Sequence, residues 1–146
     1  MISFDANILL YALNEDSPWQ KRSMQFLLDL SKRQDVVVSE LILVELYTLL
    51  RNPIILKKPF DAEEAVEIVN AYRNHPNWAL VGFDADSKKI HQILWKLVKQ
   101  KNFARRRIYD VRFALFLQHQ GVNEFATVNV KDFQDLGFKK LWNPID

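Results

Sequence analysis

Met1-Ile-Ser-Phe-Asp-Ala-Asn-Ile-Leu-Leu-Tyr-Ala-Leu13 is the stretch on which the reading of this chain turns. The apolar run Met1 to Phe4 reads as a short strand that stops at Asp5. Ile8-Leu9-Leu10-Tyr11 then reads as the opening of a helix. In an open parallel α/β sheet, ligands bind outside the carboxyl ends of the strands. Asp5 stands at such an end. The same residue type has a purely local use, because Asp5 or Asn7 can cap the helix that follows. The rest of the chain separates these readings by whether it brings further oxygen ligands to the same place.

Moving outward, Asn14 to Pro18 breaks the chain, with Ser17 able to cap and Pro18 suited to a first helical position. A helix is expected from there to about Lys32, with Met24, Leu27 and Leu28 on its inner face. Val36-Val37-Val38 is a β-branched strand, and Ser39 caps the next helix, about Glu40 to Arg51. That helix is apolar nearly all round, the pattern of a buried helix. Glu45 is the carboxylate in its middle, whereas Glu40 belongs to the first turn on the other side. A buried, unpaired carboxylate costs several kcal/mol. Glu45 therefore needs a basic partner, a proton or a metal.

Asn52-Pro53 ends that helix, and Asp61-Ala-Glu-Glu64 is a capping-box pattern opening another, to about Tyr72. Trp78 to Val81 reads as a third strand. Asp84-Ala-Asp-Ser87 caps a long helix with Ile90, Ile93, Leu94, Leu97 and Val98 along one stripe. Lys96, Lys99, Lys101, Arg105, Arg106 and Arg107 then form a basic run without an acid. Asp110 opens a helix expected over Val111 to Gln120, with Gly121 as its C-terminal cap. Glu124 to Thr127 reads as a fourth strand, and Lys139 to Trp142 as a short edge strand. Helices alternating with short β segments imply a parallel sheet covered on both faces, hence an α/β fold.

The length, 146 residues, fits one domain, and 49% apolar residues suffice for a sizeable core. There is no cysteine, and His75, His91 and His119 lack ligand spacing. This excludes disulfides and thiolate sites and argues against a histidine-rich zinc site. Any metal would use oxygen ligands, which favours magnesium or manganese. The N-terminus has no basic segment and no stretch is long enough to span a membrane, so a soluble cytoplasmic protein is expected. The net charge is only +2, so local clusters matter more than the sum.

Asp5, Glu45, Asp110, Asn129 and Asp132 all fall at strand ends or in apolar helices. Each has a bland explanation as cap, ion pair or turn residue. Together they supply clustered oxygen donors whose mutual repulsion a divalent cation would relieve. Such a cation activates water and stabilises charge on a phosphate under attack. The basic run, and Arg105 to Arg107 above all, reads either as a solvated helix end or as a grip on a phosphate backbone.

Ser3 to Tyr11, Ser39 to Glu45, Tyr109-Asp110 and Thr127-Val-Asn-Val-Lys-Asp-Phe133, in that order, resemble the PIN domain. Their spacing is similar to that of the VapC toxins of bacterial toxin–antitoxin modules. The resemblance reaches Leu141-Trp-Asn-Pro144. It implies a three-layer α/β/α sandwich with a short central parallel sheet, and a magnesium-dependent endoribonuclease with acidic roles on Asp5, Glu45 and Asp110. It also implies an RNA substrate, a cognate antitoxin protein and a homodimer. Many relatives carry an Asp two residues after the threonine of the last motif. Here that position is Asn129, so either it or Asp132 completes the set. Other readings are a housekeeping RNA-processing nuclease, a phosphorylatable receiver domain, and a silent RNA-binding module. The receiver reading lacks an acid adjacent to Asp5, and the silent module leaves Glu45 unexplained.

Overall fold

A computed structural model describes residues 1–146. Strands β1 (Ile2–Phe4), β2 (Val36–Ser39), β3 (Trp78–Val81), β4 (Glu124–Ala126) and β5 (Lys140–Trp142) form one sheet in the order β3-β2-β1-β4-β5. Every pairing is parallel. Successive side chains of a strand point to opposite faces, and both faces here are apolar. Ile2, Phe4, Val36, Val38 and Ala126 enter the larger core, while Val37 and Phe125 enter a smaller one. Ser3 is the polar exception on β1. Its hydroxyl donates to the Val37 carbonyl at 2.7 Å, so the buried group is satisfied.

The larger core is closed by α1 (Ala6–Leu13), α2 (Gln20–Ser31), α3 (Glu40–Leu50) and α4 (Ala62–Arg73). The opposite face carries α6 (Arg107–His119) and the short α7 (Val130–Phe133), with α5 (Ser87–Val98) packed on α6. The molecule is thus the three-layer α/β/α arrangement with a parallel sheet that the sequence implied. The capping box at α4 is complete: Asp61 accepts from the Glu64 N–H, and Glu64 accepts from the Asp61 N–H. Gly121 follows α6 at φ 85°, a left-handed conformation that glycine adopts freely. No helix is long and apolar enough to cross a membrane.

Several local expectations are corrected. Helix α2 starts at Gln20, and Ser17 accepts from the Trp19 N–H in the turn before it. Its inner face is Ser23, Leu27 and Leu30; Met24 and Leu28 are 53% and 52% exposed. Leu27 is common to both faces, while the fully buried Ser23 takes the inner position expected of Met24. On α5, Ile90 and Leu94 are buried while Ile93 and Leu97 are exposed. Neither Asp84 nor Asp86 caps α5 through its side chain. Asp84 accepts from the Asp86 N–H at 2.7 Å, and both carboxylates face His119 at the end of α6. Helix α6 begins a turn earlier than expected, so Asp110 lies inside its first turn rather than before it.

Candidate active site

The strand order reverses at β1. The chain runs outward through β2 and β3, then returns to place β4 on the other side of β1. The crevice at the carboxyl ends of β1 and β4 is the topological switch point of this sheet. Asp5 leaves β1 there as the N-cap of α1, its Oδ1 accepting from the Ala6 N–H at 2.8 Å. The bland reading of Asp5 as a cap is therefore half of the description. Its other oxygen, Oδ2, accepts from the Thr127 hydroxyl at 2.8 Å, across 122 residues of chain. Thr127 follows β4 and is itself fixed, because its hydroxyl oxygen accepts from the Asn129 N–H at 3.0 Å. The two strand ends thus hold one buried carboxylate by both oxygens.

Glu45, Asp110, Asn129 and Asp132 line the same cavity of about 260 Å³ as Asp5. Glu45 comes from α3, Asp110 from α6, and the last two from the start of α7. None of Asp5, Glu45, Asp110 and Asp132 has a lysine, arginine or histidine within ion-pair distance. A structural ion pair for Glu45 is thereby ruled out; it is the neighbouring Glu40 that pairs with Arg73, at 2.8 Å. Helix α3 also departs from expectation. Ile42, Leu43, Leu46 and Leu50 are buried, but Leu41 and Val44 are exposed, and Glu45 sits on this open flank rather than deep in the core.

The electrostatics follow from the crowding. Burial pushes the Asp5 carboxyl above the ordinary 3.8, against the pull of its bonds from Thr127 and Ala6, and the charge on Asp132 adds to the push. Asp110 is raised by burial, then by Asp132 and Asp5, with Arg107 opposing. Glu45 is raised by partial burial, then by Asp5 and Asp110. Asp132 repels both Asp5 and Asp110, so it is the acid of the last motif that reaches the cluster electrostatically.

Arg105, Arg106 and Arg107 do not line this cavity. Arg107 donates to the Gln134 carbonyl at 3.0 Å and borders a neighbouring apolar cavity instead. Three polar residues of the wall have no site role in the sequence reading: Asn7, Tyr109 and Arg112. Asn7 lies in the first motif and reads locally as a cap. Tyr109 and Arg112 flank Asp110 at offsets of −1 and +2. Their signal was proximity to an acid, hidden by the more conspicuous basic run upstream.

Asp84, Asp86 and His119 form a second group whose ligand atoms lie within 4.8 Å of one another and could hold an ion. Each already has a partner: His119 meets Asp86 at 3.0 Å, and Asp84 accepts from Gln120. This group ties α5 to the end of α6. The switch-point cavity differs in having carboxylates without cationic partners. Hard oxygen donors with uncompensated charge and raised proton affinity fit a hard divalent cation such as magnesium or manganese. Asp5, Glu45 and Asp110 are the residues that would hold it.

No family model matches the sequence. The chain is 43% identical over 145 residues to Ribonuclease VapC24 of Mycobacterium tuberculosis, in strain CDC 1551 / Oshkosh and in strain H37Rv, covering 99% of this chain and 97% of the relative. The fold is similar to that of Rickettsia felis VapBC2 bound to a DNA fragment from its promoter (TM-score 0.67, 20% identity, 98% of each chain). It is also similar to FitAcB from Neisseria gonorrhoeae (0.65, 19%, 99% of this chain and 98% of that one). Mycobacterium tuberculosis VapC20, described as a Sarcin-Ricin loop cleaving toxin, matches at 0.61 with 17% identity, over 86% of this chain and 87% of its own. With a carboxylate cluster at the switch point of a PIN-like sheet and this identity along almost its whole length, the chain belongs to the VapC family of PIN-domain ribonucleases, metal-dependent toxins of toxin–antitoxin modules.

Proposed function

We propose that this protein is a magnesium-dependent endoribonuclease, with manganese as an alternative ion, that acts in the cytoplasm as a toxin held in check by a cognate antitoxin. The observation that carries this reading is the convergence of Asp5, Glu45 and Asp110, without cationic partners, in one cavity. A divalent cation held there supplies a water of lowered pKa and stabilises charge on the phosphodiester under attack.

The chain's own residues do the remaining work. Thr127 and the Ala6 N–H fix the Asp5 carboxylate, so its orientation is set before substrate arrives. Glu45 and Asp110 present their oxygens from helices anchored in the two layers, on either side of the sheet. Asp132 completes the acidic set, and Asn129 holds the loop through its backbone bond to Thr127. An acid rather than an amide at the fourth position adds the charge that a second ion would need. Arg105, Arg106 and Arg107 hold the RNA backbone beside the cavity, where their contacts release counterions. The chain acts as a homodimer, and the antitoxin is its protein partner.

The decisive experiment is cleavage. Purified protein with magnesium or manganese should cut RNA, and EDTA should stop it. Asp5→Asn and Asp110→Asn should each lose cutting while retaining a cooperative melt. Full activity in either folded variant would overturn the site.

A further inference from the structure

We propose that Tyr109 and Arg112 form a nucleotide-binding subsite at the mouth of the carboxylate cavity, with Tyr109 stacking on an unpaired base next to the scissile bond and Arg112 holding the adjoining phosphate. This rests on the ribonuclease reading above and adds to it where, and on what kind of strand, the cut is made.

Two observations on one helix carry it. Tyr109 lines the cavity yet leaves 65% of its surface open. It is held at the edge of an acidic site rather than packed into either core. Other exposed aromatics, Trp19, Phe83 and Trp95, are not part of this wall. Arg112 is the one lysine or arginine among the cavity's lining residues, and no carboxylate lies within ion-pair distance of it. Its guanidinium stands 5.9 Å from the centre of the Tyr109 ring. That is at the outer limit of a cation–π contact, so the guanidinium is oriented without being neutralised.

An RNA strand entering this cavity meets carboxylates that repel its phosphates. The two groups offset that repulsion differently. A free guanidinium beside the acids binds a phosphate through paired N–H donors. An exposed ring supplies a face on which any base can stack, and aromatic stacking is the sequence-tolerant device of proteins that hold single strands. A base in a duplex already stacks on both sides and cannot meet Tyr109 without leaving its helix. The subsite therefore selects positions where a base is unpaired, in loops, bulges and single-stranded segments.

The test uses the full-length protein with calcium in place of magnesium, and a single-stranded oligoribonucleotide carrying one 2-aminopurine. Wild type should bind it and quench its fluorescence by stacking. Tyr109→Phe should retain both properties. Tyr109→Ala should lose the quenching and weaken binding by roughly 5- to 150-fold, the equivalent of about 1–3 kcal/mol per stacked base. Arg112→Ala should bind more weakly and lower the salt slope by about 0.7, one phosphate contact on a single strand. With magnesium, the same oligomer annealed into a duplex should be cut more slowly by wild type, and Tyr109→Ala should narrow that preference. If wild type cuts RNA and Tyr109→Ala binds, quenches and cuts as wild type does, the subsite is refuted and the nuclease assignment stands. If wild type neither binds nor cuts RNA, both readings fall.

Discussion

Thr127 shows how one hydroxyl can decide the geometry of a charged site. It is fully buried, donates to Asp5 within the interior, and accepts from the Asn129 N–H at the edge of the site. A hydrogen bond to a charged group contributes about 1.5–3 kcal/mol. Thr127→Val keeps the shape and removes the donor, so it should destabilise the protein by about that amount. At about 2–4 °C per kcal/mol for a chain of this size, its Tm should fall by roughly 3–12 °C. Cutting should fall with it, because Asp5 then has one oxygen unrestrained. An unchanged Tm with full activity would show that Asp5 is positioned by Ala6 alone. Nothing in Thr127 itself announces this role. The residue reads locally as the end of a strand, and its partner is far away in sequence.

The same carboxylates give the metal-free protein a pH dependence whose sign is fixed. Asp5, Glu45 and Asp110 have folded-state pKa values raised above the ordinary 3.8 and 4.5. The folded protein therefore binds these protons more tightly than the unfolded chain. Their contribution to stability is present below the ordinary values and is lost as the pH rises through the raised ones. In EDTA, Asp110→Asn should gain in Tm over wild type as the pH is raised across this range, and the gain should then level off. Magnesium should narrow the gap at high pH by compensating the wild-type charges. A difference in Tm that does not change with pH would mean that Asp110 is not crowded.

At the level of elements, the strands, the α4 capping box and the position of Asp5 were legible because each depends on a few adjacent residues. Helix faces were less so. On α3 the apolar side chains run around the axis, yet Leu41 and Val44 face out, and Val44 is 64% exposed. Hydrophobicity marks what a helix can bury, not what this fold buries. Glu45 therefore lies shallower than the apolar pattern suggests, on the wall of the cavity it shares with Asp5 and Asp110. The expected helix runs from Val111 to Gln120, with Asp110 opening it. The true start at Arg107 draws Asp110 into the first turn, with three helical residues before it. Asp84, Asp86 and His119 were each assigned local roles or none, and only the packing of α5 on α6 joins them.

Glu45→Gln tests the α3 contribution without changing shape. The metal-free variant should be at least as stable as wild type, since a repelled carboxylate is replaced by a neutral amide. Magnesium should then stabilise wild type more than the variant. An ion at about a hundred times its dissociation constant contributes roughly 2.7 kcal/mol, or on the order of 5–10 °C at this chain length. Thermal melts with EDTA and with magnesium measure both terms. Equal magnesium shifts in the two proteins would remove Glu45 from the metal set.

For the whole molecule, the formal charge of +2 hides a separation of charges. The switch-point cavity gathers acids from helices of both layers, whereas the stretch from Lys96 to Arg107 is free of them. Under the proposed function, the basic stretch would draw a polyanion and the acidic cavity would cut it. Expression without a partner should arrest bacterial growth, and Asp110→Asn should abolish the arrest at equal protein level. Co-expression of a gene immediately beside its own should relieve it if that gene encodes the antitoxin. Normal growth on wild-type expression would favour a housekeeping nuclease over a toxin.

The central place of β1 has a consequence for how the enzyme comes into being. Asp5 precedes Thr127 by 122 residues of chain, so the carboxylate is synthesised well before the hydroxyl that holds it. At about 5–20 residues per second, the clamp on Asp5 reaches the nascent chain roughly 6–24 s after the carboxylate it holds. Until then β1 lacks β4, its partner on one side, and the cavity lacks Asp110, Asn129 and Asp132 in turn. Closing so long a loop between parallel strands is also intrinsically slow. On the proposed site, the nascent chain therefore stays inert until residues 110–132 have followed Asp5. The hazard to the RNA around it arises only when the strand laid down early meets the one laid down late.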